Sequence, residues 1–193
     1  RGIPTPPYQV LHNEDARRLD FPVVVKPTLQ GSSIGLPFVS EEAPWAEAVA
    51  VAGSSVGDVL GESVIEGAAL TVGIVGDTLV PVLEIRAPGG RYDYEAKYLS
   101  GKTEYLVPAP ISTACAEDCS RRAAETFRAL GCGGLARVDF RMNSAEELFV
   151  LEVNTIPGFT ETSLLPKVAR AVGMTFPELC ARIMESAAVP NPE

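Results

Sequence analysis

Leu135-Ala136-Arg137-Val138-Asp139-Phe140-Arg141-Met142, followed after a short gap by Leu148-Phe149-Val150-Leu151-Glu152-Val153-Asn154, is the stretch on which the fold turns. In the first run Ala136, Val138, Phe140 and Met142 alternate with Arg137, Asp139 and Arg141, the two-residue period of a strand with one face in a core. The second run is apolar except for Glu152 and Asn154, which share a face. Polar faces on adjacent strands must coincide, because a one-residue slip would turn one of them inward. A hairpin closing over Ser144 to Glu147 therefore sets Asp139 opposite Glu152 and Arg137 opposite Asn154. Such partners lie roughly 4.5 to 5.5 Å apart at Cβ, so two carboxylates and an amide oxygen gather beside an arginine. These are hard oxygen donors, the ligand type of magnesium. The bland alternative is a solvated strand face carrying an Arg–Glu pair, and the sequel Asn154-Thr155-Ile156-Pro157-Gly158 weighs against it.

Upstream, Phe21-Pro22-Val23-Val24-Val25-Lys26 reads as a buried strand that ends on a lysine. Gly31-Ser32-Ser33-Ile34-Gly35 follows, small enough for backbone amides to approach phosphate oxygens while Lys26 supplies a point charge. The GxxxxGK[ST] spacing of a P-loop is absent, and an ordinary hairpin turn is the competing reading. The same five residues match the G-x-S-x-G elbow of serine hydrolases. That rival needs a helix next, whereas Leu36-Pro37-Phe38-Val39 reads as strand.

Composition removes other classes. The chain has 193 residues, 46% hydrophobic, enough to bury a sizeable core. Its formal net charge of -9 argues against a nucleic-acid face. No apolar run approaches the ~20 residues of a membrane helix, and residues 1 to 8 lack a signal-peptide core. His12 is the single histidine, in a polar stretch that reads as solvated surface, so histidine triads and two-histidine zinc sites are excluded. Cys115, Cys119, Cys132 and Cys180 show no CxxC spacing, which predicts reduced thiols and a cytoplasmic location.

The remaining elements are expected as follows. Residues 1 to 20 open with Gly2 to Tyr8, whose three prolines give an extended entry segment that resembles an interdomain linker. A helix runs from Pro44 to about Ala52, and strands cover about 59 to 65, 70 to 75 and 79 to 85, with a hairpin at Gly76-Asp77. Residues 87 to 108 form a long ordered loop. A helix from about Ala114 to Leu130 buries Ala116, Cys119, Ala123, Phe127 and Leu130, and Thr175 to Glu178 opens a last helix burying Phe176, Leu179, Cys180 and Ile183.

Lys26 with its Ser/Gly loop, Asp93-Tyr94-Glu95-Ala96-Lys97-Tyr98, Arg137-Val138-Asp139 and Glu152 to Gly158 occur in this order, and the set resembles the ATP-grasp D-alanine:D-alanine ligases. The resemblance covers nearly the whole chain. It implies an α+β architecture, the ATP-grasp fold, with two α/β lobes of mainly antiparallel sheet, residues 1–65 and 66–193, and the nucleotide site between them. Lys26 would hold ATP phosphates under the flap Gly31, Ser32 and Ser33; Glu62, Val64 and Ile65 would form the adenine hinge, with Leu151 also at the ATP. Asp139, Glu152 and Asn154 match ligands of two Mg2+ (or Mn2+). Arg137 and the Gly158 amide match the groups that stabilise the charged intermediate, Ser163 and Leu164 the pocket for the second D-alanine. Lys97 and Tyr98 match a lid that closes over the γ-phosphate and contacts Ser32.

The implied activity phosphorylates one D-alanine carboxylate to an acyl phosphate, which a second D-alanine amine attacks, a step of peptidoglycan precursor synthesis. Lys97-Tyr98 points away from a D-lactate-using relative. Competing readings are a nucleotide-binding module without ligase activity and a ligase for another amino acid or peptide. The partners expected are small molecules, with neither nucleic acid nor membrane, and a homodimer is compatible. Two departures stand out: Ala69 replaces the family's ribose-binding glutamate, and Arg141 stands where an apolar residue packs on adenine. The family also carries a further N-terminal domain, expected upstream of Arg1 in the whole protein, without which residues 1–193 should bind Mg-ATP weakly and turn over little.

Overall fold

Alternation builds both sheets. The computed structural model of the chain describes residues 2–11, 17–29, 37–54, 57–90, 101–160 and 163–187. It divides into two compact units, Thr5–Glu66 with Ala87–Thr103, and Arg1–Pro4 with Gly67–Arg86 and Glu104–Glu193.

The first unit carries β1 (Tyr8–Leu11), β2 (Val23–Pro27), β3 (Phe38–Val39), α1 (Trp45–Gly53) and β4 (Val59–Ser63). Its antiparallel sheet has the order β1-β4-β2-β3. Val23 and Val25 of β2 turn inward with Leu11, Val39 and Val59, and α1 covers them with Trp45, Ala48 and Ala52. Val24 and Lys26 occupy the opposite face by the two-residue period, and so does Glu62, the cross-strand partner of Val24. The linker expectation is corrected at Tyr8–Leu11, where Gln9 and Leu11 are buried and the segment pairs with β4 instead of running free.

The second unit holds β5 (Ala68–Val75), β6 (Thr78–Leu79), β7 (Leu83–Arg86), β8 (Glu104–Leu106), α2 (Thr113–Ala129), β9 (Leu135–Met142), β10 (Leu148–Asn154), α3 (Leu164–Ala171) and α4 (Phe176–Ser186). The strand order is β10-β9-β5-β7-β8, with β6 paired to β5. Leu70, Val72, Val138, Phe140, Leu148 and Val150 pack against Cys115, Cys119 and Ala123 of α2. Each large apolar side chain so buried contributes about 1.5–3 kcal/mol. The two thiols lie in this core, the ordinary role for buried cysteines.

Several expectations need revision. The strand foreseen over 79–85 is broken into β6 and β7, because Pro81 has no N–H to give the ladder. Residues 87 to 108 are not loop throughout, since β8 adds to the edge of β7. In α2 the inward positions are Cys115, Cys119, Ala123 and Thr126, whereas Leu130 caps the helix end and is 64% exposed. In α4 the capping box of Thr175 and Glu178 forms as expected, but of the four foreseen inward residues Leu179 alone is fully buried.

Helix α3 was not foreseen, although Leu164, Leu165, Val168 and Ala169 have helical spacing. It lies on the face of β5 away from α2. Gly73 makes this possible: a Cβ there would collide with Leu165 Cδ1 and stand 2.9 Å from Val80 Cγ2. At Gly67, φ is +126° and a Cβ would run into the Met142 carbonyl, so glycine is required at the start of β5. Among the described residues no helix is long and apolar enough to cross a membrane.

Candidate functional site

The β9–β10 hairpin supplies the charged row. Asp139 pairs with Glu152 and Arg137 with Asn154, as the polar faces required. At the turn end the expected register is wrong by one residue, because Leu148, Phe149 and Val150 pair with Met142, Arg141 and Phe140. A bulge between Val150 and Glu152 absorbs the difference. The four successive apolar residues Leu148 to Leu151 carry no alternation that fixes the register, and the slip leaves Leu148 and Val150 in the core while Glu152 stays out of it.

Arg137 grips Asp139 with two parallel hydrogen bonds, Nε to Oδ1 at 2.8 Å and Nη2 to Oδ2 at 2.7 Å. The same Nη2 lies 3.7 Å from Glu152 Oε1. Thr71 of β5, the cross-strand partner of Asp139 on the other side, donates from Oγ1 to Asp139 Oδ1 at 2.6 Å. Nothing in the sequence reading had singled out Thr71, yet it is the lone polar side chain within the apolar run from Ala68 to Val72, which was a usable signal. Asn154 is fixed by its own turn, its Oδ1 accepting the Ile156 N–H at 3.0 Å.

This donor set fits a hard cation. A carboxylate has about four lone-pair sites; the three hydrogen bonds on Asp139 leave one on Oδ2. Asn154 Oδ1 retains a lone pair as well, and the Glu152 side chain is 58% exposed. Among the described residues no group of three or more His, Cys, Asp or Glu side chains converges. Two carboxylates and an amide suit magnesium completed by phosphate oxygens and water, its usual arrangement, and not an all-protein cage.

Beyond β10 the chain brings Gly158 and Ser163 together, since a Cβ on Gly158 would stand 3.0 Å from Ser163 Oγ. Ser163 is the N-cap position of α3, but its hydroxyl does not cap the helix. It accepts the Thr160 N–H at 3.0 Å and meets Thr160 Oγ1 at 2.9 Å. Leu164 begins the helix. One turn on, the Lys167 ammonium sits over the Tyr105 ring, 3.6 Å from its centre, and burial holds its pKa below the ordinary value.

In the first unit, Lys26 and Glu62 form an ion pair on the sheet face away from the core. Val64 donates its N–H to the Pro22 carbonyl at 3.0 Å, so its own contribution to a ligand is limited to carbonyl and side chain. Ile65 directly follows, and Leu151 is the bulge residue of β10. Gly31, Ser32, Ser33, Lys97 and Tyr98, with Asp93 to Ala96 and His12, lie outside the described residues. The two departures turn out to be neighbours: Ala69 and Arg141 are cross-strand partners in the β5–β9 ladder. Burial pushes the Arg141 guanidinium below its ordinary pKa.

A D-alanine–D-alanine ligase of Syntrophotalea carbinolica is 43% identical over 191 residues, covering 97% of this chain and 62% of the relative. The solved D-alanine–D-alanine ligase of Bacillus anthracis complexed with ATP superposes with a TM-score of 0.78 at 27% identity, covering 96% of this chain and 59% of that one. The VanG D-Ala:D-Ser ligase of Enterococcus faecalis gives a TM-score of 0.84 at 30% identity, covering 97% and 58%. The chain thus spans about three-fifths of the length of the proteins it matches. These neighbours share its α+β, ATP-grasp architecture. The profile of the family described as "D-ala D-ala ligase C-terminus" matches residues 1–185, from the proline-rich start through β10 to the last helix, and the chain belongs to that family.

Proposed function

We propose that the whole protein carrying this chain is an ATP-dependent ligase that joins two D-alanines through an acyl phosphate, in the cytoplasm, as a step of peptidoglycan precursor synthesis. The observation that carries the reading is the Asp139–Glu152 pair beside an arginine on one strand face. The 43% identity to a D-alanine–D-alanine ligase supports the substrate, and the ATP complex of a structural relative supports the nucleotide.

Magnesium, when bound, would neutralise phosphate charge and hold the transferring phosphoryl group in line. Asp139 Oδ2, Glu152 and Asn154 Oδ1 would hold it. Arg137, already locked by Asp139, presents a guanidinium whose position does not have to be found during the reaction, which is how preorganised charge lowers a barrier. Lys26 would exchange part of its contact with Glu62 for phosphate. The Gly158 amide and the start of α3 place N–H donors and a positive helix end near Ser163, suited to a carboxylate of the second amino acid. Ser32, Ser33, Lys97 and Tyr98 complete the proposal as flap and lid residues. No covalent bond to the protein is required by this reading.

The test is phosphate release from ATP by the whole protein with D-alanine, D-serine or D-lactate, with products identified by mass spectrometry. D-Alanyl-D-alanine as the main product is expected. Preference for D-serine would move the protein to the VanG-like specificity, and the absence of amino-acid-dependent phosphate release would end the ligase reading.

A further inference from the structure

Thr71 is 2% exposed, at the centre of the site, and has no role in the reading above. Its hydroxyl lies 2.6 Å from Asp139 Oδ1 and 3.2 Å from the Val138 carbonyl. One hydroxyl carries one proton, and the shorter contact to the charged acceptor takes it. The two oxygens of Asp139 are thereby made unequal. Oδ1 is filled by Thr71 and Arg137 Nε on the β5 side. Oδ2 has only Arg137 Nη2, the nitrogen that also approaches Glu152 on the β10 side.

We propose that Thr71 is a positioning residue for metal binding: by saturating Oδ1 it turns the remaining lone pair of Asp139 Oδ2 toward Glu152, so that the cation meets both carboxylates. The arginine fork alone would not do this. A planar guanidinium holds a carboxylate in its plane but tolerates sliding along it, and the third hydrogen bond removes that freedom. Thr71 touches neither substrate nor metal and acts through Asp139. The inference rests on the metal assignment proposed above.

The experiment is Mn2+ binding by the whole protein in the presence of AMP-PNP, followed by electron paramagnetic resonance, for wild type, Thr71→Val and Thr71→Ser. Valine keeps the shape and removes the hydroxyl. It should weaken Mn2+ by about 10–100-fold, the usual effect of losing such a supporting bond, while serine stays within about threefold. AMP-PNP affinity without metal should be the same in all three, and each variant should remain folded at the assay temperature, with a melting temperature lowered by no more than about 10 °C. Equal Mn2+ affinity in Thr71→Val, or an equal loss in Thr71→Ser, would overturn the proposal, the second because it would make the methyl group the determinant. If valine prevents folding, Thr71→Ala gives the same comparison. A wild-type protein that takes up no Mn2+ would overturn the metal assignment itself, and this inference with it.

Discussion

Asp139 and Glu152 face each other across the β9–β10 ladder because the pairing slips by one residue at Leu151. Ahead of the slip, Leu148 and Val150 point into the core; without it Glu152, two residues on from Val150, would point there too. The bulge thus converts an apolar strand into one whose far end carries the charged row. Bulges commonly re-aim side chains next to functional sites in this way.

The two carboxylates should respond differently to removal. Asp139→Ala removes the bidentate partner of a largely buried Arg137 but leaves Thr71 with the Val138 carbonyl, so we expect a stability loss of about 1–3 kcal/mol together with loss of magnesium-dependent ATP binding. Glu152→Ala should lose the metal dependence with a change in stability within about 0.5 kcal/mol, since the side chain is exposed. Nucleotide titration with and without magnesium, paired with urea unfolding, checks both; unchanged Mg-ATP affinity in the two variants would reduce the row to a surface feature.

On the proposed reading, Ala69 and its cross-strand partner Arg141 would lie at the nucleotide. If the missing glutamate costs one hydrogen bond to ribose, restoring it alone should help little, because a carboxylate at position 69 would face the guanidinium directly. Ala69→Glu combined with Arg141→Met should tighten AMP-PNP by roughly fivefold, the equivalent of about 1 kcal/mol. Calorimetry of the single and double variants decides it, and no gain in the double variant would remove Ala69 as a determinant of ribose affinity.

A third expectation concerns alkaline pH. Burial, then the nearby Cys115 and Asp118, push the Cys119 thiol from its ordinary 9.0 up to about 12. The unfolded chain releases this proton near pH 9 and the folded one does not, so the folded state binds more protons and unfolding free energy falls as pH rises between about 9 and 12. Below that window the thiol is neutral in both states and contributes no slope. Cys119→Ala should lose an alkaline slope amounting to a few kcal/mol, on the order of 1.4 per pH unit. Parallel slopes for the two proteins between pH 9 and 12 would contradict the assignment.

Legibility followed the strength of the local pattern. Residues 135 to 142 alternate without interruption, and β9 has those limits. The partner strand has two registers where its sequence suggests one, because the apolar run Leu148 to Leu151 carries no mark of which residue is spare. Thr175 and Glu178 announce their helix through side chains that bond locally, whereas α3 depends on burying Leu165 against Gly73, a contact between residues far apart in sequence. The ligand row was legible since its members must share a face. Thr71 stands out in the sequence only as a polar residue in an apolar run, and its contact with Asp139 depends on a third strand whose pairing cannot be deduced from the hairpin.

Gly73 stands one pleat along β5 from Thr71, so the strand whose hydroxyl holds Asp139 also seats α3. Two residues of strand amount to about 6.6–6.8 Å, a fixed spacing between the hydroxyl on Asp139 and the seat of Leu165. Added volume at Gly73 would push Leu165, and with it the start of α3, away from the face of β5. A residue that touches no ligand thus sets how closely α3, which begins beside Ser163, can approach the strand that carries Thr71.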